Sequence, residues 1–186
     1  MAYSAAAGMP LWQLYKVSTA KESSAGIVFA DQSHLRMREN ALLLIHGRSA
    51  RSGRLMKTEV TLERGTLRGG LERLDAAGAK GKTLRIKTPS SEIQRTGSEA
   101  QVEVTPQKTA VVAVYDGAAQ VTAQGKRVEV PTDFGTLVQL KKIPLPPIPL
   151  PKPPVWSSSG NIVALAPAPT LGRFRVQWKK HLRAVR

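Results

Sequence analysis

The residues best equipped for chemistry in this chain are basic, and they fall into two sets. Arg48, Arg51, Arg54 and Lys57 recur at every third position of a stretch rich in Ser and Gly. Arg173, Arg175, Lys179 and Lys180 lie near the C-terminus, with Phe174, Val176 and Trp178 alternating among them. A guanidinium binds phosphate or carboxylate through paired N–H donors, and an indole stacks on planar groups. Both sets are therefore candidate anion-binding sites. Phe174, Val176 and Trp178 form a candidate apolar face for a strand that pairs with a partner. A solvated loop and a solvated strand edge would use the same residue types.

Catalytic chemistry has less to draw on. There is no cysteine, so thiolate chemistry and disulfides are excluded. The histidines, His34, His46 and His181, have no metal-ligand spacing. No serine is marked by a base and an orienting acid. Glu99 and Glu103 alternate with Ala and Val, as the solvent face of a strand does. Ala76-Ala-Gly-Ala-Lys-Gly-Lys-Thr83 fits a loose phosphate-loop pattern. Such a loop must join a buried strand to a helix. Here a charged, Gly-rich run precedes it, and the alternating Thr83-Leu-Arg-Ile-Lys87 follows. A Gly-Lys turn between strands is the better reading. No catalytic residue, metal ligand or cofactor is expected.

The elements that must position these groups are short strands. Glu99–Val104, Thr109–Tyr115 and Lys126–Val130 alternate with period two and are broken by Gly, Pro and Asp. Earlier runs, Leu14–Val17, Gly26–Phe29, His34–Met37, Ala41–Ile45, Thr58–Leu62 and Thr66–Gly69, read the same way. Leu71–Ala77 admits one or two helical turns before Gly78. Of the 186 residues 41% are hydrophobic but only 5% aromatic, so the core must be aliphatic. No apolar run reaches the roughly 20 residues of a membrane helix. The N-terminus lacks the basic-then-apolar pattern of a signal peptide. The chain is expected either to stay in the cytoplasm or to have an export signal outside this sequence.

Charge is unevenly spread. The net charge is +15, with 28 basic and 13 acidic residues. Residues 88–140 carry 4 basic and 6 acidic residues, whereas 141–186 carry 9 basic and none acidic. The cleanest strand region is thus slightly acidic, and the positive charge belongs to appendages. Ile143–Pro154 should be an extended polyproline II connector that stays out of any sheet ladder. It is a stiff spacer, a docked strut, or a ligand for a proline-recognising partner. Beyond it, Asn161–Ala166 and Gly172–Lys179 read as strands too few to fold alone. They must dock on the first domain, pair with another chain, or begin a further module.

Residues 14–140 resemble the FecR-type domain of bacterial cell-envelope proteins. Val17-Ser-Thr-Ala-Lys-Glu-Ser23 is similar to its opening turn, Ile27–Ser33 to its Phe-Ala-Asp-Gly-Ser turn, and Leu35–Asn40 to the strand and turn that follow. Val60–Gly65 matches its Leu-x-x-Gly step, Lys87-Thr-Pro-Ser90 its Val-Arg-Thr-Pro step, and Val111–Gly117 with Val121 the Val-Leu-Glu-Gly-x-Val step. Phe134-Gly-Thr136 matches the last turn. Gln32 replaces a usual Gly, and Thr96–Ala100 lacks the family's Arg and aromatic residue. Ala100 should leave a smaller core there. Asn161–Lys179 weakly resembles the opening strands of a fibronectin-like module.

The resemblance implies a non-catalytic, periplasmic β-solenoid or twisted β-sandwich. The expected organisation is an extension (1–13), a FecR-like domain (14–140), a proline-rich linker (141–155) and a basic β tail or partial module (156–186). The expected function is scaffolding at the cell envelope, through other envelope proteins or neighbouring subunits and through peptidoglycan or anionic lipid head groups. The alternatives are a cytoplasmic nucleic-acid-associated protein and a structural subunit of a large assembly.

Overall fold

The computed structural model describes residues 2–29, 34–49, 57–70, 83–95, 99–151, 174–179 and 182–185. Among these it is built of strands and turns. In chain order they are β1 (Ala2–Ser4), β2 (Met9–Leu11), β3 (Lys16–Thr19), β4 (Ser24–Val28), β5 (His34–Met37), β6 (Leu42–Ser49), β7 (Lys57–Gly70), β8 (Thr83–Lys87) and β9 (Glu92–Arg95). Then follow β10 (Glu99–Val104), β11 (Ala110–Asp116), β12 (Ala118–Ala123), β13 (Lys126–Pro131), β14 (Phe134–Val138), β15 (Ile148–Pro149), β16 (Phe174–Lys179) and β17 (Leu182–Val185).

Pairing sorts the strands into two layers. The first runs β1, β17, β3, β6, β7, β8, β9, β12, β13. The second runs β2, β16, β4, β5, β7, β10, β11, β14, β15. Among the described pairings only β7 and β8 run parallel. Of the two expected architectures, this is the twisted all-β sandwich.

Strict alternation makes the layers face one another. In β10 the residues Ala100, Val102 and Val104 are buried, while Glu99, Gln101 and Glu103 face outward. The core is aliphatic: Val17, Ile27, Leu35, Leu43, Ile45, Val60, Leu62, Leu84, Ile93, Val112 and Val121 are buried, together with Phe29. Each such side chain stabilises the fold by about 1.5–3 kcal/mol relative to exposure.

β7 belongs to both layers. Its Lys57–Arg64 half pairs with β6 and β8, and its Gly65–Gly70 half with β5 and β10. The crossing is at Gly65, with φ +87°, where an added Cβ would lie 2.5 Å from the Ala41 Cα. What read as two strands, Thr58–Leu62 and Thr66–Gly69, is one strand bent at this glycine. Motif positions shared with the resembled family have local causes too. The Thr88 hydroxyl accepts from the Ser91 N–H at 2.9 Å, and the Thr88 N–H donates to the Ser91 carbonyl at 2.8 Å, which closes the β8–β9 turn. Ala100 is buried between Gly69 and Val114.

The C-terminal strands insert into the sandwich. β16 lies between β2 and β4, and β17 between β1 and β3. Residues 2–11 reach the sheets only through these two strands among the described pairings. Of the expected elements, Asn161–Ala166 and the helical turns over Leu71–Ala77 lie outside the described residues.

The proline run corrects the expectation that it avoids a ladder. Its non-proline residues supply the missing donors. The Leu145 N–H donates to the Leu137 carbonyl at 3.0 Å and the Leu150 N–H to the Asp133 carbonyl at 2.8 Å. The Thr136 hydroxyl donates to the Leu145 carbonyl at 2.6 Å. Ile148 pairs with Gly135 and Pro149 with Phe134, so the arm covers the edge of β14. Its prolines then offer few donors for a further strand, which blunts the sheet edge. Gly135 makes room for it, since a Cβ there would stand 2.7 Å from the Leu150 Cδ2 and 3.0 Å from the Val112 carbonyl oxygen. Gly135→Val is expected to detach the arm. Hydrogen exchange at Leu145 and Leu150 should then rise to the rate of exposed amides, with the core amides of β10 and β11 still protected.

Candidate interaction surface

The two basic sets occupy different strands. Arg48 and Lys57 flank the tip of the β6–β7 hairpin, where Arg48 stands opposite Thr58 and Lys57 opposite Ser49. Opposed residues share a face and successive residues do not, so the register gives Arg48 and Lys57 positions on opposite faces. Arg51 and Arg54 lie outside the described residues. Arg175 stands between Pro10 and Val28, and Lys179 opposite Ser24. Arg173 and Lys180 lie outside the described residues. Phe174 is opposite Leu11, Val176 opposite Ile27 and Trp178 opposite Ala25, and those three partners are all buried. The register thus pairs β16 with strands of this same chain on both sides. No described pairing joins the hairpin tip to β16.

Several charged groups on the outer faces pair with cross-strand neighbours. On the first layer, Lys16 pairs with Glu63 at 3.2 Å, Lys87 with Glu59 at 2.7 Å and Arg85 with Glu92 at 3.2 Å. His46, the extra residue at a bulge in β6, contacts the Thr61 hydroxyl at 2.7 Å. The hydrogen bond from Lys87 holds the Glu59 carboxyl below its usual value, against an opposing effect of burial. A depressed carboxylate pKa adds stability that is present above the unfolded value and lost as pH falls through the folded one. Lys87→Met is therefore expected to raise the Glu59 titration midpoint, read by carboxyl NMR, and to flatten the acid limb of the stability curve.

The second layer carries a denser cluster that the sequence reading missed. Arg68 is 12% exposed and donates Nη2 to Glu99 Oε1 at 2.6 Å, with its Nε reaching the same oxygen at 2.8 Å. Its guanidinium lies 5.0 Å from the centre of the Tyr115 ring. A register shift between β10 and β11 leaves Tyr115 without an opposed residue, which turns its ring toward Arg68. Burial raises the Tyr115 phenol above its usual value, against the opposing charge of Arg68. Arg68→Leu is expected to cost about 1–2 kcal/mol, from a half-exposed ion pair and a cation–π contact. The check is the midpoint of urea unfolding.

Among the described residues, no group of three His, Asp or Glu is placed to hold a metal, and no helix is long and apolar enough to cross a membrane. Large apolar residues are exposed at two places, Trp12 and Leu14 near the N-terminus and a longer set along the arm. Leu140, Ile143, Leu145 and Ile148 are exposed on and beside the proline arm, beside the exposed Lys141 and Lys142.

Comparison with known proteins agrees with this architecture. The profile described as FecR protein matches residues 15–120. Two crystal structures, each of a candidate anti-sigma factor from Parabacteroides distasonis ATCC 8503, share the fold at TM-scores of 0.51 and 0.50 with 12% sequence identity. The similarity covers 81% of this chain and 60% of each of those chains, so this chain spans about three fifths of their length. No curated protein matches.

Proposed function

The chain belongs to the FecR family, and on that premise we propose that it is a non-catalytic regulatory or scaffolding protein of the bacterial cell envelope, acting through protein contacts. The observation that carries this reading is the family match over 15–120. The fold shared with two candidate anti-sigma factors fits a signalling role. So does the described surface, where charged groups are matched across strands rather than gathered in a cleft.

The basic sets supplement those contacts. Arg48, Arg51, Arg54 and Lys57 at the β6–β7 tip, with Arg173, Arg175, Lys179 and Lys180 around β16, would hold the protein to anionic groups of the envelope. Candidates are wall carboxylates and lipid phosphates. Fractionation of the native cell tests the reading. The protein should sediment with the envelope, and Gln at the eight basic positions should release it at lower salt. Recovery in the cytosol with bound nucleic acid, lost steeply as salt is raised, would instead select the nucleic-acid alternative.

A further inference from the structure

We infer that Lys142–Pro149 is a preformed ligand for a proline-recognising domain whose groove is lined by aromatic residues and rimmed by carboxylates. The arm's burial repeats every third residue. Pro144 is buried and Pro147 and Leu150 are half-buried, whereas Leu145, Pro146, Ile148, Pro149 and Pro151 are exposed. Three residues per turn is the period of a polyproline II helix. One edge of that three-sided helix therefore faces β14, and the other two face solvent.

The outward edges carry a specific pattern. Leu145-Pro146 and Ile148-Pro149 are two apolar-proline pairs three residues apart, so they project side by side. Aromatic-lined grooves accept such pairs in neighbouring slots. Pro147, the residue between the pairs, is the one turned toward the chain's own domain. Lys142 is exposed three residues before Leu145, at the end of a turn that its N–H closes on the Gln139 carbonyl at 3.0 Å. It supplies the charge that would fix the direction of binding on an acidic rim. The charge beside the arm favours that partner, since Lys141 and Lys142 are both exposed at its start. Leu145 and Ile148 are 52% and 65% exposed. An arm that served only as a strut would turn such residues inward.

The docking on β14 is part of the design. The backbone bonds at Leu145 and Leu150 hold the arm extended before any partner arrives, so less ordering entropy is lost on binding. The inference deepens the contact role proposed above and rests on it for its meaning in the cell. Its test is a binding measurement in solution, independent of where the protein resides, so the two can fail separately.

The probe is an isolated SH3 domain of the type that takes a basic residue N-terminal to its proline pairs, titrated calorimetrically into the purified full chain. Saturable one-to-one binding is expected. It should weaken at least tenfold in Ile148→Asp and in Lys142→Glu, and stay unchanged in Glu129→Gln on β13, the edge strand of the other layer. All three positions are exposed, so the variants should keep the wild-type thermal midpoint. Absence of saturable binding, or binding indifferent to Ile148→Asp, would overturn the inference. So would a chain that sediments as a dimer and becomes monomeric in Ile148→Asp, because the arm would then be occupied by a second copy.

Discussion

A chain ending at Arg173 is expected to lose all hydrogen-exchange protection at Met9–Leu11 and much of it in β3 and β4. β16 is the partner of β2, and β17 the partner of β1, among the described strands. Without them β1 and β2 are untethered, and the rows of Leu11, Val17 and Ile27, each fully buried, open to water. At about 1.5–3 kcal/mol per side chain, the loss is on the order of 5 kcal/mol. For a chain of this size that lowers the melting midpoint by about 10–20 °C. A truncated chain with unchanged melting and unchanged protection at Leu11 would show that the C-terminal strands contribute nothing to this sandwich.

Gly65→Ala is expected to rank next. The new methyl would meet the Ala41 backbone at 2.5 Å while the residue is held at φ +87°. Left-handed strain costs about 1–3 kcal/mol and overpacking a similar amount, which together lower the melting midpoint by about 5–20 °C. Gly125→Ala separates the two causes. Gly125 also has a positive φ, +74°, but nothing lies within 4 Å of its added Cβ. It should show the smaller, strain-only loss. Equal losses at the two sites would mean that the close approach to Ala41 is not what makes Gly65 necessary.

Much of the strand set was legible because alternation is a local signal. His34–Met37 and Glu99–Val104 fall where period two placed them. The passage of β7 between layers was not legible. Arg64-Gly65 reads as a break in a hydrophobic pattern, and only the close approach of Ala41 shows that the strand continues through it. Strands β1 and β2 were missed because three-residue strands carry too few alternations to stand out, and β17, Leu182-Arg-Ala-Val185, was hidden in the basic tail.

The surface was harder to read for the same physical reason. The Arg68–Glu99–Tyr115 cluster joins three strands, and a register shift that no local pattern announces brings them together. The proline arm misled through composition. Its prolines argued against a ladder, but two amides, of Leu145 and Leu150, suffice to tie it down. Its spacing was informative all along, because the apolar-proline pairs repeat at the period of the helix that displays them.

The most direct test of a protein that acts by contact through this edge is site-specific photocrosslinking in the native cell. A photoreactive residue would replace Ile148 on the arm or Glu129 on β13, both exposed. Covalent adducts with an envelope protein are expected from position 148 and not from position 129. Position 148 giving no adduct, or adducts of the same kind from both edges, would contradict it.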